Sequence, residues 1–200
     1  MNEHSQLTES QAVGARLPAS DGLKWYAEWE VRKYNRPSAV VLSGQALPDA
    51  VIRGQGNLAM NGGVDVIWKR LITLKPSTGL AAVTSAFSTK AALAVGDSSA
   101  ASTASQTDIQ AASGATHRAR RVMDSSFPSH TTGTSTTSRS ASFQVTFTTA
   151  QANFAWKEWG LFNSTSTGAS AFRMLNRKVA SLGTKTSAAT WQLNIKLTIS

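Results

Sequence analysis

The segment Thr190–Ile199 alternates strictly between polar and apolar side chains. Its apolar members are Trp191, Leu193, Ile195, Leu197 and Ile199. Because successive side chains of a strand point to opposite faces, this period of two predicts a β-strand with one core face and one solvent face. A lone strand leaves its backbone groups unpaired, so the segment requires neighbouring strands.

The same alternation, or a short apolar run, predicts the remaining strands. The run Ala39–Leu42 is expected to pair back on the strand before it as a hairpin. Short turns at Asn163–Gly168 and Ser181–Thr186 would join four C-terminal strands over residues 141–199 into an antiparallel meander or Greek key. The predicted strands are Lys24–Tyr34, Ala91–Val95, His117–Met123, Ala141–Thr148, Trp156–Phe162, Ala171–Val179 and Trp191–Ile199.

One segment has helical periodicity instead. Val64, Ile67, Trp68, Leu71 and Leu74 recur at the spacing of a single helix face, which predicts an amphipathic helix over about 62–75. We therefore expect a mainly β protein, an antiparallel β-sandwich of jelly-roll or Greek-key type with one packed helix. Residues 1–22 lack either periodicity and are expected to form an extended N-terminal arm, and residues 23–200 a single domain.

Long polar connections separate the strands. Gly96–Thr116 and Thr131–Ser140 consist almost wholly of small polar residues, alanine and glycine. Loops of this length in a small domain are usually functional, so both are predicted to be interface segments.

The composition excludes several kinds of protein. There is no cysteine, so disulfides and thiolate chemistry are excluded. No apolar leader or bilayer-length apolar run occurs, which predicts a soluble protein that is not exported on its own signals. The net charge is +9, and residues 101–200 contribute +7 of it, with ten Lys and Arg against three Asp and Glu. A basic half is suited to an acidic protein surface or nucleic acid, or simply to solubility.

No catalytic group is indicated. His4, His117 and His130 have no partner at a triad or ligand spacing, and no Gly-x-Ser-x-Gly elbow marks a nucleophile. Glu28 and Glu30 share the solvent face of one predicted strand, which alone does not make a glycosidase pair. The sequence predicts no enzyme, cofactor or metal site.

The densest basic cluster is His117–Arg121. In a strand, Arg118 and Arg120 point one way and Arg121 the other, so they do not form the single basic stripe typical of nucleic-acid binding. We predict that these three arginines contact solvent or a protein partner. The six tryptophans lie in predicted strands or the helix at apolar positions, which favours core packing over a sugar-stacking surface.

Five segments of the C-terminal half carry a family resemblance: Ala94–Ala100, Gln106–Gln110, Phe154–Asn163, Met174–Lys178 and Thr184–Leu193. Through these segments, residues 91–199 resemble a family of tailed-bacteriophage virion proteins, described variously as tail, tail-fibre or minor structural proteins. The strand over residues 24–34 and the helix after Asn61 resemble the N-terminal part of such proteins less specifically.

The resemblance implies a place in a virus particle and brings no catalytic residues. We therefore expect a non-enzymatic virion component of the tail, neck or tail fibre that binds itself as a trimer or larger ring and contacts other virion proteins. The alternatives are a capsid-decorating protein, a nucleic-acid-binding protein that uses the basic half, and a protein that binds a host-surface glycan.

Overall fold

The computed structural model describes residues 25–64, 67, 90–130, 139–166 and 172–199. The predicted arm, residues 1–22, lies outside this range, as does most of the predicted helix. Within residues 62–75 the structure describes a helical start at 61–64 and residue 67. Ile67 packs against the core, which agrees with its predicted apolar position.

The described residues form one short helix and ten strands. These are β1 (Trp25–Tyr34), α1 (Ser38–Leu42), β2 (Ala50–Gln55), β3 (Leu58–Ala59), β4 (Ala92–Gly96), β5 (Arg118–Val122), β6 (Ser129–His130), β7 (Arg139–Phe147), β8 (Ala155–Phe162), β9 (Met174–Thr184) and β10 (Thr190–Ile199).

The strands form two antiparallel sheets of five. Sheet A has the order β2-β1-β10-β7-β6, and sheet B has the order β3-β9-β8-β4-β5. The last strand, β10, lies at the centre of sheet A, where it pairs with β1 along all ten residues and with β7 on its other side. The regular alternation of β10 is thus matched by two full-length neighbours, and the prediction of a mainly β, antiparallel protein is confirmed.

The two sheets contribute to one hydrophobic core. From sheet A, Trp29 and Trp191 are buried, and from sheet B, Trp156 and Trp159 are fully buried. Trp29 meets Trp159 edge to face with ring centroids 6.5 Å apart, and Trp156 meets Trp191 at 4.9 Å. Each of these contacts joins a tryptophan of sheet A to a tryptophan of sheet B. The core therefore depends on contacts between residues that are distant in the sequence.

A second, smaller apolar cluster includes residues of β4 and β8. It contains Ala92, Ala94, Ile109 and Phe162, whereas Leu93 and Val95 of the same strand belong to the main core. Both faces of β4 are therefore covered, which explains why all five of its residues are buried. Ile109 belongs to the 97–117 loop, so this loop covers part of sheet B.

Two predicted details are wrong. Ala39–Leu42 lies in α1, where the Ser43 amide donates to Ala39 O and closes one helical turn, while β2 takes the place beside β1. Residues 181–184 of the predicted turn belong to β9, which keeps Gly183 in the sheet at a positive φ of 97°. Of the meander and the Greek key predicted for the four C-terminal strands, the single meander is excluded, since β8 pairs with β9 but β7 pairs with β10.

Candidate partner-contact site

The strand β5 carries the three arginines that the sequence assigned to partner contact. Arg118 Nη1 lies 3.2 Å from Asp108 Oδ2, and Arg120 Nη2 donates to Oδ1 of the same carboxylate. Both arginines thus point to one side of the strand, as the alternation predicted. One carboxylate compensates two guanidinium groups, so this side of β5 keeps an excess of positive charge.

Arg120 is largely enclosed. Its Cζ lies 4.2 Å from the ring centroid of Phe162 and 4.6 Å from that of Phe172, and the two rings stack with centroids 5.0 Å apart. Burial lowers the pKa of Arg120, and the neighbouring Asp108 opposes that shift. Its side chain is only 12% exposed against 30% for Arg118, so Arg120 stabilises the fold from within.

Arg121 lies on the other side of the strand. It is half-buried, and its Nε has no hydrogen-bond partner within the described part of the chain. Arg118 and Arg121 both border a cleft of about 440 Å³ between β5 and residues 150–153. The arginines available to a partner are therefore Arg118 and Arg121, on either side of an open cleft.

The 97–117 loop is anchored by a carboxylate that the sequence analysis did not single out. Glu158 on β8 is fully buried, and it accepts hydrogen bonds from the Ala111 amide at 2.7 Å and the Gln110 amide at 3.0 Å. Backbone donors thereby hold the middle of the loop against sheet B.

Arg177 on β9 completes this anchor. Its Nε donates to Glu158 Oε2 at 2.6 Å, and both side chains are fully buried. The remaining guanidinium nitrogens donate to Ala100 O, Ser102 Oγ and Gln106 Oε1 at 2.9–3.1 Å. Both carboxylate oxygens of Glu158 and all three guanidinium nitrogens of Arg177 therefore have hydrogen-bond partners. These hydrogen bonds offset the desolvation cost of burying an ion pair.

Glycine makes room for this anchor. A Cβ atom on Gly96 would lie 2.6 Å from Glu158 Oε1 and 2.7 Å from Ala111 Cβ. The sequence offered one signal of the anchor, namely the charged residues within two strands that are largely apolar: Lys157 and Glu158 in β8, and Arg177 and Lys178 in β9. That signal does not show which charges meet, because Glu158 and Arg177 come together only when β8 pairs with β9.

The structure describes two of the three histidines, His117 and His130. His117 Nδ1 lies 2.7 Å from Asp97 Oδ2, His130 is exposed on β6, and His4 lies outside the described range. Within that range, no group of three or more His, Asp or Glu side chains could hold a metal ion.

The carboxylates Glu28 and Glu30 face the outer side of sheet A, beside a cleft of about 670 Å³. Glu30 pairs with Arg32 and with Arg53, and Glu28 lies 3.7 Å from Lys196 Nζ. Trp29, Trp156, Trp159 and Trp191 are all buried in the core, as predicted, so none of these four indoles is available to stack on a sugar. The side chains of Trp25 and Trp68 lie outside the described residues.

No protein-family model, curated protein or solved structure matches the chain. Within the described residues, no helix is long and apolar enough to cross a membrane.

Proposed function

We propose that this chain is a non-enzymatic structural component of a tailed-phage virion, located in the tail, neck or tail fibre. It acts by binding copies of itself and neighbouring virion proteins. The finer fold belongs to the same proposal: a β-sandwich of jelly-roll or Greek-key type, supported by the main core to which both sheets contribute.

The observation that carries the proposal is where the motifs of the phage-protein resemblance lie. Four separate motif segments supply Gly96, Gln106, Glu158 and Arg177, and all four meet at the buried anchor under the 97–117 loop. Their polar atoms are used in internal contacts. The motifs are therefore suited to holding a long loop in one shape, which is the task of a building block that presents fixed surfaces to its neighbours.

The sheet edges supply surfaces for assembly. β2 ends sheet A and β5 ends sheet B, and neither has a second neighbouring strand among the described residues. Unpaired strand edges bind other strands readily, so soluble proteins usually protect them. A trimer or larger ring protects such edges if each subunit pairs with or covers the edge of the next. Copies that are related by a constant rotation close into a ring of this kind.

Immunogold labelling of purified phage particles tests the proposal. Gold on the tail or neck supports it, and gold distributed over the head supports the capsid-decoration alternative instead. Particles that carry no label, with epitope access checked on disrupted virions, would contradict a virion role of either kind.

A further inference from the structure

Among the described residues no strand pairs with the outer edge of β5, and the backbone groups of this edge lie in defined positions. The Asp97 amide donates to His117 O and the Met123 amide donates to Ala91 O, which fixes the pairing of β5 with β4. Hydrogen-bonded pairs alternate along antiparallel strands, so residues 119 and 121 face β4. The N–H and C=O groups of Arg120 and Val122 therefore point away from the sheet, where an extended segment can bind as a sixth strand.

The charge of this edge favours an acidic segment. Arg118, Arg120 and Arg121 are matched by Asp108, which leaves two positive charges in excess. Arg118 and Arg121 border the adjoining cleft, and Arg121 Nε is buried without a hydrogen-bond partner among the described residues. Acidic side chains on an incoming strand would meet an arginine on either side of β5.

The start of the chain has this chemistry. Residues 1–13 hold Glu3 and Glu9 and no Lys or Arg, whereas residues 14–200 hold twenty Lys and Arg against nine Asp and Glu, a net charge of +11. The segment is also long enough to reach another molecule. The twelve residues from Val13 to Trp25 span about 40 Å when extended, against a radius of gyration of about 16 Å for a 200-residue domain.

We propose that residues 1–13 of a second copy bind along the outer edge of β5 as an extended strand, with Glu9 beside Arg121 and on the same side as it. This inference rests on the proposed function, which requires contacts between copies. It assigns the arginine cluster a partner, namely the N-terminal segment of the neighbouring subunit.

Cysteine cross-linking tests the placement, since the chain has no cysteine of its own. Thr8→Cys and Val122→Cys chains are mixed and oxidised, because Thr8 faces the side of Val122 when Glu9 faces that of Arg121. Val40→Cys replaces Val122→Cys in the control, because Val122 and Val40 are 45% and 44% exposed. We expect a disulfide-linked heterodimer with Val122→Cys several times faster than with Val40→Cys. Equal rates overturn the placement. A chain that carries both cysteines is oxidised as well. If a disulfide forms only within this chain, and none forms between chains, the segment binds its own β5, which overturns the assignment to a second copy.

Charge reversal gives an independent measurement by analytical ultracentrifugation of the full chain. Arg121→Glu should weaken self-association at least about tenfold, and adding Glu9→Lys to it should recover part of the loss. Lys157→Glu, an exposed reversal on β8, should have no effect, and circular dichroism checks that each variant is folded. If a chain lacking residues 1–13 associates as tightly as the full chain, this inference fails while the proposed function stands. If the full chain does not associate and is missing from particles, the proposed function fails.

Discussion

Lys185 is a buried cation, and within the part of the chain that the structure describes it has no carboxylate partner. Its Nζ donates to Thr148 O at 2.7 Å and to Asn153 Oδ1 at 2.8 Å, and the residue is 1% exposed. Burial lowers the pKa of Lys185 from 10.5 to about 8. The ammonium group joins the 148–153 connection to the end of β9, but desolvation makes its charged form less favourable in the folded protein than in the unfolded chain.

We therefore predict that the free energy of unfolding rises with pH between about 8 and 10.5. In that interval the unfolded chain keeps a proton that folded Lys185 has released, so raising the pH favours the folded state, by up to about 1.4 kcal/mol per pH unit. Urea titrations at pH 7.5, 9 and 10 should show this rise for the wild type relative to Lys185→Met. Lys178→Met, a lysine whose Nζ contacts only Gln55 O at 3.3 Å in the described residues, is the control and should parallel the wild type. Parallel curves for all three proteins would contradict the prediction.

At the scale of elements, the 97–117 loop depends on one ion pair. Glu158→Ala removes the acceptor of two loop amides and leaves Arg177 buried without a counter-charge. We expect a loss of about 3–5 kcal/mol in the free energy of unfolding, as for other broken buried pairs. Glu28→Ala is the matched control, because its pair with Lys196 is half exposed and should contribute at most about 1 kcal/mol.

Hydrogen exchange locates that effect. In a Glu158→Ala protein kept below its unfolding transition, the amides of Gln110 and Ala111 should exchange faster, while those in the centre of β10 should keep their protection. Urea denaturation gives the size of the loss. A change below about 1 kcal/mol with unaltered loop exchange would show that the apolar contacts of Ile109, rather than the ion pair, hold the loop.

Strands with clean alternation could be predicted from the sequence, because their burial pattern is local. β1, β7 and β10 were found this way. β2 was missed because Gly54 interrupts its pattern. The structure shows why glycine is there: a Cβ would lie 2.2 Å from the Trp29 ring on the neighbouring strand. Gly183 had the opposite effect. Because glycine is typical of turns, it favoured the prediction of a turn, whereas in the structure Gly183 continues β9 at a positive φ.

Only part of the candidate site could be predicted, because its contacts depend on which strands are neighbours. The sequence places Arg118, Arg120 and Arg121 on a strand and predicts which two share a side, but it does not show that Asp108 lies between two of them. That contact, like the one between Glu158 and Arg177, depends on strand order within sheet B. The periodicity of a single strand carries no information about its neighbours.

At the scale of the whole molecule, the net charge of +9 would by itself favour nucleic acid as a partner. The described structure gives many of these charges internal roles. Arg177 is fully buried, Arg120 is enclosed by two rings, and Lys185 is 1% exposed. The basic half of the sequence therefore presents a weaker positive surface than its composition predicts.

We accordingly expect weak, nearly salt-independent binding to duplex DNA. A protein that neutralises six to ten phosphates loses about 10³–10⁵ in affinity between 50 and 200 mM salt, because each contact releases a counterion. For this chain, fluorescence anisotropy with a 30-base-pair duplex should show a loss of less than about tenfold over the same range. Arg121→Glu should change this loss of affinity little, because one half-buried guanidinium group makes at most one phosphate contact. A steep salt dependence that Arg121→Glu reduces would instead assign the cleft beside β5 to a phosphate backbone, and the acidic N-terminal segment would then compete with DNA for the same edge.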